Sequence, residues 1–204
     1  MSGRTFDLDK YLMNNPIREM IQRRFVGAYF SKVARPLSES FCLEIGCGRG
    51  VGARIIIETF QASKVVAFDL DGCQVKQAKR YLRSRKLQNK VGLFIGDAGK
   101  LSFPDSIFDA VFDFGVLHHL SNWRAALKEI ARVLKPDGQF FFEEPIKPIL
   151  DFVLVRSLLG HPEGGLFTAC EFRQALKEAR FILFDLKEAD SIFIRGMAFI
   201  SNAL

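Results

Sequence analysis

From Phe41 onward, apolar runs of strand length alternate with amphipathic segments of helix length. This alternation is typical of a parallel sheet covered by helices, and strands that are apolar along their whole length are those buried on both faces. The sequence therefore predicts an α/β fold. The predicted strands are Phe41–Ile45, Val65–Asp69, Val91–Ile95, Phe108–Asp113, Gln139–Glu144, Phe181–Glu188 and Ser191–Ile200.

Helix signals occupy the intervals between the strands. One helix is predicted after Asn122, which can cap it, and Pro136-Asp137-Gly138 is the stop signal. Its apolar stripe consists of Trp123, Ala126, Leu127, Ile130 and Leu134. A second helix is predicted at Thr168, where Glu171 three residues later completes a capping box.

No flexible linker interrupts the chain, so residues 1–204 are predicted to form one domain. Residues 1–40 are expected to be an N-terminal helical cap beginning at Asn15-Pro16, which packs against the sheet or closes over its edge. The apolar stripe of this cap is predicted as Ile17, Met20, Ile21, Phe25, Ala28 and Tyr29. Residues 146–167 form an apolar insertion that either acts as a lid over an acceptor pocket, packs into the core or makes a homodimer contact.

Composition narrows the class of protein. The four cysteines show no CxxC or CxxH spacing, so neither a metal site nor a disulfide framework is expected. This cysteine usage favours a reducing cytoplasm. The polar start MSGRTFDLDK predicts no secretory leader, and the most apolar run, Pro148 to Gly160, is too short to cross a bilayer. The net charge of +6 is concentrated in residues 76–90, which are either a solvated helix face or a surface for an anionic partner.

The first strand leads into the sequence LEIGCGRGVG, from Leu43 to Gly52. Glycine tolerates positive φ and lets a ligand approach the backbone closely, so this loop is predicted to bind one. The dinucleotide fingerprint GxGxxG is not present, because Val51 stands where its third glycine would be, and no Gly-Lys-Ser/Thr follows for a Walker loop. The spacing is instead Glu44-x-Gly46-x-Gly48-x-Gly50.

An acidic residue followed by GxGxG resembles the first motif of class I S-adenosylmethionine-dependent methyltransferases. The segments VVAFDLD, GDAGKLSFPDSIFDAVFDFGVLHHL and LKPDGQFFFEEP extend the resemblance over nearly the whole chain, toward the small-molecule branch that includes ubiquinone and menaquinone methyltransferases. It implies a single Rossmann-like, doubly wound, mostly parallel seven-stranded sheet with helices on both faces and an antiparallel last strand. It also implies S-adenosyl-L-methionine as methyl donor and S-adenosyl-L-homocysteine as product.

The resemblance also implies roles for residues at the strand ends. Asp69, 25 residues after Glu44, is placed like a ribose-binding carboxylate, with a plain turn carboxylate as the alternative. Glu44 either binds the amino group of the donor or orients the loop. The other expected contacts are Gly46, Gly48 and Gly50 with the methionine tail, Leu70 with an adenine face, Asp97 and Ala98 with the adenine edge, and Asp113 and Phe114 with the methionine part. Related sequences often have a small residue where Asp113 stands, and Asp97 could instead cap a helix.

Methyl transfer from a sulfonium depends mainly on positioning, so a general base is optional. If a base exists, His118 or His119 after the fourth strand is the candidate, and His119 is favoured because only one of the two can readily face the pocket. The alternative is that both only shape the wall. Glu143 and Glu144, at the end of the fifth strand, are the second candidates, either as the base or as a group that binds a cationic or hydroxylated substrate.

Three functions remain open at this level. The first is methyl transfer to a small-molecule acceptor, apolar if the insertion lines its pocket. The second is an RNA methyltransferase whose phosphate contacts are Lys76, Lys79, Arg80, Arg83, Arg85 and Lys86, although the helix lacks the interleaved aromatics that nucleic-acid modules often use. The third is a nucleoside-binding regulator without turnover. The absence of an Asn-Pro-Pro-Tyr or Asp-Pro-Pro-Tyr run argues against amino-methyltransferases of DNA bases and protein glutamine.

Overall fold

A computed structural model describes residues 19–20, 22–146, 166–189 and 192–201. Its strands are β1 Phe41–Ile45, β2 Lys64–Asp69, β3 Val91–Ile95, β4 Phe108–Asp113, β5 Leu134–Pro145, β6 Phe181–Ala189 and β7 Phe193–Ile200. A π-helical turn, Gln22–Val26, leads into the first helix. The helices are α1 Gly27–Val33, α2 Val51–Thr59, α3 Gly72–Ser84, α4 Trp123–Val133 and α5 Ala169–Glu178, and a 3₁₀ turn covers Leu117–His119.

The seven described strands form one sheet in the order β3-β2-β1-β4-β5-β7-β6. All neighbours from β3 to β5 are parallel, whereas β7 is antiparallel to both β5 and β6. The predicted doubly wound sheet with an antiparallel last strand is therefore confirmed. The strand order reverses between β1 and β4, and open α/β sheets bind ligands at the carboxyl ends of the strands at such a point.

Apolar cores lie on both faces of the sheet. On one face, α2 and α3 bury Ile55, Ile56 and Ala78, and Phe30 of α1 packs beside them. On the other face, α4 and α5 bury their stripes against β4 and β5, with Trp123, Ile130 and Phe172 at the centre. Because every central strand is covered on both sides, its side chains are apolar nearly throughout, as the sequence indicated.

The helix starts follow the predicted caps. The Asn122 side chain accepts a hydrogen bond from the Ala125 amide, and Thr168 and Glu171 form the predicted capping box at the start of α5. Helix α4 ends earlier than the predicted stop, because Leu134 already adopts extended backbone and pairs with Phe108 as the first residue of β5. Among the described helices, none combines the length and the apolarity needed to cross a bilayer.

Of the predicted apolar stripe of the N-terminal cap, Tyr29 packs against the core, whereas two other members do not. Met20 is 59% exposed and Ala28 is exposed, whereas Val26 and Phe30 are buried. The π-helical turn explains the shift, because its i→i+5 bonds change which side chains share a face relative to a period of 3.6 residues. Ile17, Ile21 and the proposed helix start at Asn15-Pro16 lie outside the described residues.

Only the ends of the predicted apolar insertion are described. Ile146 and Phe167 are both buried, and the Phe167 ring lies 4.6 Å from that of Trp123 and 4.9 Å from that of Phe172. Both ends are therefore anchored in the core beside α4 and α5. Residues 147–165, including the apolar side chains predicted to line a pocket, lie outside the described residues.

Candidate active site

The glycine loop after β1 bends sharply at three positions. Gly46, Gly48 and Gly50 have φ of 62°, 47° and 91°, the left-handed region that side chains with a Cβ rarely adopt. A Cβ at Gly46 would collide with Val116, and one at Gly50 would lie 3.2 Å from Ala78 and Leu82 of α3, whereas Gly48 has open space around it. Gly48 is therefore the position where the backbone is open to a ligand. At position 50, glycine is required by the positive φ and by the close packing against α3.

Glu44 lies beneath this loop and is fully buried. Its Oε1 atom occupies the space that a Cβ of Gly52 would fill, and the Phe114 ring comes within 2.6 Å of the same point. Burial raises the pKa of Glu44 well above its usual value, the Ala53 amide opposes this rise, and the charge of Asp69 adds to it. Its Oε2 atom has no hydrogen-bond partner among the described residues. A buried carboxyl with an unused oxygen is suited to a cationic or hydrogen-bond-donating ligand.

Asp69, at the end of β2, is tied to the loop by both of its oxygens. Oδ2 accepts a hydrogen bond of 2.9 Å from the Gly48 amide, and Oδ1 accepts one of 2.9 Å from the Asp71 amide. Each carboxylate oxygen can accept more than one hydrogen bond, so both keep capacity for a ligand. Asp69 thus positions the loop and also presents an acceptor at the cleft.

A cleft of about 320 Å³ opens above the ends of β1, β2 and β4. Of the ten predicted donor-contact residues, eight line it: Glu44, Gly46, Gly48, Asp69, Leu70, Asp97, Ala98 and Phe114. Leu70 is 73% exposed at the rim, whereas Phe68 is only 2% exposed although it lines the floor. Asp97 caps a turn by accepting from the Gly99 amide at 2.8 Å and does not cap a helix. These eight sequence-predicted residues are therefore brought to one site.

Asp113 and Gly50 are the two predicted contacts that do not line the cleft. Asp113 is fully buried, and its Oδ1 accepts a hydrogen bond of 3.0 Å from the Val116 amide. Burial, followed by the charge of Glu144, raises its pKa well above the usual value. Because it lies behind the cleft wall, we interpret Asp113 as support for that wall.

Glu144 organises the turn that carries the two histidines. Its Oε1 accepts hydrogen bonds from the amides of Val116 at 2.8 Å and Leu117 at 2.7 Å, and its Oε2 lies 2.5 Å from His118 Nδ1. Burial raises the pKa of Glu144 to about 7, while hydrogen bonds from Asp113 and the turn amides oppose the rise. His118 is buried in this arrangement and does not line the cleft.

His119 is the histidine that faces the cleft, with its ring centroid 4.0 Å from that of His118. The two rings therefore occupy different environments, as the helical geometry of the turn predicted. Glu143, the other candidate carboxylate, points to the opposite side of β5 and forms an ion pair of 3.1 Å with Arg195. His119 is accordingly the candidate base that lies at the site, and its role remains a prediction.

Sequence reasoning missed a group of polar side chains at the cleft. Glu19 accepts hydrogen bonds from Tyr81 at 2.6 Å and Arg49 at 3.0 Å, which ties the N-terminal segment to the loop and to α3. Gln74 is buried in the cleft wall, and its Oε1 has no partner among the described residues. These residues carry no motif, and only three-dimensional proximity identifies them. Within the described ranges, no group of three His, Cys, Asp or Glu side chains is arranged to hold a metal ion.

Part of this chain is similar in sequence to known proteins. Residues 43–142 match a family model described as a methyltransferase domain. The chain is 38% identical over 98 residues to sterol 24-C-methyltransferase erg6 of Aspergillus fumigatus, covering 48% of this chain and 26% of that protein. It is 36% identical over 104 residues to the fatty-acid O-methyltransferase of Mycolicibacterium smegmatis, covering 50% and 36%. The chain thus spans about a quarter to a third of the length of these curated relatives.

A comparison of structures supports the fold independently. A putative sarcosine dimethylglycine methyltransferase from Galdieria sulphuraria superposes with a TM-score of 0.77 at 15% identity, covering 94% of this chain and 91% of that one. At this identity the likeness shows the fold alone. The two relatives named above are sterol and fatty-acid enzymes, so the narrower assignment to the ubiquinone and menaquinone branch stays a prediction.

Proposed function

We propose that this chain, which belongs to the class I S-adenosylmethionine-dependent methyltransferases, transfers a methyl group to a small apolar acceptor, acting in the cytoplasm. The observation that carries the proposal is the cleft at the strand-order reversal, where an open glycine backbone, a buried carboxyl with an unused oxygen and a second carboxylate meet. These three groups match the methionine tail, the amino group and the ribose of one donor.

The residues present fit S-adenosylmethionine. Glu44 Oε2 offers an acceptor for the amino group, and binding a cation would favour the ionised form that burial alone disfavours. Gly48 leaves room for the methionine tail, and the carboxylate of Asp69 can accept from the ribose hydroxyls. Leu70, Asp97 and Ala98 all line the cleft, where Leu70 would cover an adenine face and Asp97 and the Ala98 amide would bind the adenine edge.

The donor supplies a methyl group on a positively charged sulfur, which is already a good leaving group. The task left to the protein is to align an acceptor and exclude water, and orientation of this kind contributes roughly 7 to 11 kcal/mol. Phe114, Val116 and Leu120 form an apolar wall, and the turn held by Glu144 presents His119 beside it. His119 is the group we assign to accept a proton from a hydroxyl or amine acceptor.

Two observations favour an apolar acceptor. The wall beside His119 is hydrophobic, and the curated relatives are named for sterol and fatty-acid substrates. Neither an RNA methyltransferase nor a nucleoside-binding regulator without turnover is favoured by these relatives.

Isothermal titration with S-adenosylmethionine and S-adenosylhomocysteine tests the donor site, and transfer of a labelled methyl group to a fractionated lipid extract tests the acceptor class. We expect saturable binding of both nucleosides and label in an apolar fraction. Label confined to polar metabolites would refute the acceptor class while leaving the donor site intact, whereas absence of binding would refute the donor site itself. The His119→Asn variant should bind donor like wild type and transfer the label at least about 100-fold more slowly if the acceptor must lose a proton.

A further inference from the structure

We propose that the outer face of α3 and the turn after it dock onto a lipid surface with anionic headgroups. Residues 72–96 contain seven of the chain's 29 basic residues and none of its 23 acidic ones, so the net charge of +6 originates in this segment. The basic residues are Lys76, Lys79, Arg80, Arg83, Arg85, Lys86 and Lys90. The described fold thus carries one strongly cationic region beside a nearly neutral remainder.

The helix presents these cations on one side. Val75, Ala78 and Leu82 are buried against the sheet, so the opposite side of α3 faces solvent. Lys76, Lys79, Arg80 and Arg83 are exposed there at i, i+3, i+4 and i+7, which is a single stripe of an α-helix.

The charges on this stripe are not neutralised by the part of the chain that the structure describes. Among the described residues no ion pair joins any of the four stripe cations to a carboxylate. Some basic residues elsewhere are paired, as Arg54 is with Glu58 and Arg132 with Glu129. The stripe is therefore available to an external anion.

Exposed apolar side chains lie at the N-terminal end of the same helix. Leu70 is 73% exposed and Ile95 is 63% exposed, at the ends of β2 and β3. Ile95 Cδ1 would lie 2.9 Å from a Cβ at Gly72, the first residue of α3, so the exposed Ile95 side chain lies next to the start of the helix. Cationic side chains beside exposed aliphatic ones are the combination that binds anionic bilayer surfaces, where the former meet headgroups and the latter enter the interface.

A nucleic-acid partner fits this surface less well. Single-stranded nucleic acids bind by base stacking on exposed aromatic rings as well as by phosphate contacts. Tyr81 is the aromatic residue of α3; it is half-buried, and its hydroxyl is engaged with Glu19 and Arg54. The aliphatic Leu70 and Ile95 favour a lipid surface over RNA.

The arrangement has a consequence for substrate entry, which rests on the function proposed above. Asp71 and Gln74, at the start of α3, line the cleft, so a surface bound along the helix would lie beside the cleft mouth. An acceptor dissolved in the bilayer would then reach the site without crossing water.

Vesicle sedimentation of the full chain tests the proposal, with pure phosphatidylcholine vesicles compared with phosphatidylcholine–phosphatidylserine vesicles. We expect binding to the anionic vesicles only, weakened by added salt. The combined variant Lys76→Gln, Lys79→Gln, Arg80→Gln and Arg83→Gln should bind at least about tenfold more weakly, given the usual contribution of a cation near an anionic membrane. Ile95→Thr should also weaken vesicle binding.

The matched control carries Lys32→Gln, Lys64→Gln, Lys128→Gln and Lys177→Gln, four exposed lysines that lie outside residues 72–96, and therefore has the same net charge. It should bind vesicles within about twofold of wild type if the stripe, and not total charge, is responsible. Equal losses in the two variants, no wild-type binding to anionic vesicles, or displacement of the chain from vesicles by polyuridylate RNA would overturn the proposal. Donor affinity, measured on every variant, reports folding and the donor site separately from docking.

Discussion

Asp69 both fixes the glycine loop and presents an acceptor to the cleft, and a sequence motif cannot separate these two roles. Its carboxylate accepts the Gly48 and Asp71 amides, so it fixes the position of the glycine loop before any ligand arrives. The same oxygens lie at the cleft, where hydroxyl donors would add to these bonds. Hydrogen bonds to a charged acceptor contribute about 1.5 to 3 kcal/mol each, so the loss of this side chain should be readily measurable.

We predict that Asp69→Ala weakens S-adenosylmethionine binding by at least about 1.5 kcal/mol, or roughly tenfold, because the ribose loses its acceptor and Gly48 its anchor. Calorimetric titration measures this affinity. Asp105→Ala is the matched control, since Asp105 is an exposed carboxylate that pairs with Arg132 away from the cleft. Unchanged affinity in the Asp69 variant would show that the carboxylate does not contact the donor.

Glu44→Gln should change stability and donor affinity in opposite directions. Burial raises the pKa of Glu44, so the folded protein retains a proton that the unfolded chain releases above its ordinary pKa of about 4.3. This contribution to stability is complete below the unfolded pKa and is lost as pH rises through the folded one. Glutamine cannot ionise, so the variant does not lose this contribution to stability as pH rises. The ligand-free variant should therefore equal or exceed wild type in stability at about pH 8, with a smaller difference at about pH 5.

The same variant should bind donor at least about tenfold more weakly at about pH 8, because a neutral amide replaces the anion that faces the amino group. Thermal unfolding at both pH values and calorimetry on the same samples provide the two readouts. A variant that is less stable than wild type at high pH and retains full affinity would contradict both the burial argument and the assignment of Glu44.

The glycine loop works as a unit because its glycines meet different neighbours. Gly46 packs against Val116 of the cleft wall, Gly50 packs against α3, and Gly48 faces open space. The alternating spacing in the sequence predicted a loop whose backbone a ligand can approach closely. It could not show which glycine is needed for packing and which leaves room for a ligand. That difference depends on Val116, Ala78 and Leu82, which come from elements far along the chain.

Gly46→Ala and Gly48→Ala should therefore fail in different ways. Both place a Cβ at positive φ, which costs about 1 to 2 kcal/mol, but only Gly46→Ala also collides with Val116. We expect Gly46→Ala to lower the free energy of unfolding by at least about 1 kcal/mol more than Gly48→Ala does. Gly48→Ala should remain folded and lose donor affinity. Denaturant unfolding and calorimetry of the pair measure both effects, and equal destabilisation would show that Val116 yields to the added methyl group.

Taken as a whole, the chain shows which features of its fold are encoded locally. Strands β1, β3 and β4 begin and end as predicted, because each is a mainly apolar run of strand length, although β3 lies at the edge of the sheet and Ile95 at its end is 63% exposed. The exposure of Met20 was not predictable, since a π-helical turn leaves no simple periodic signal. The burial of Asp113 was equally hidden, because Glu144, from the neighbouring strand, is what couples it to the histidine turn. Local patterns thus predicted the strands and the family resemblance indicated eight of the residues that line the cleft, whereas the supporting groups required tertiary contacts.

Donor binding should stabilise the entire domain, because the cleft joins elements from both halves of the sheet. Its lining includes Gly48 after β1, Asp69 of β2, Ala98 after β3 and His119 after β4, so a ligand that contacts them links segments that separate on unfolding. A ligand that binds only the native state at 100 times its Kd adds about 2.7 kcal/mol. For a domain of this size that corresponds to a rise in Tm of roughly 5 to 10 °C. Thermal unfolding with saturating S-adenosylmethionine measures it, and Asp69→Ala at the same donor concentration should show a smaller rise. A Tm unchanged by saturating donor would mean that the cleft does not bind this nucleoside.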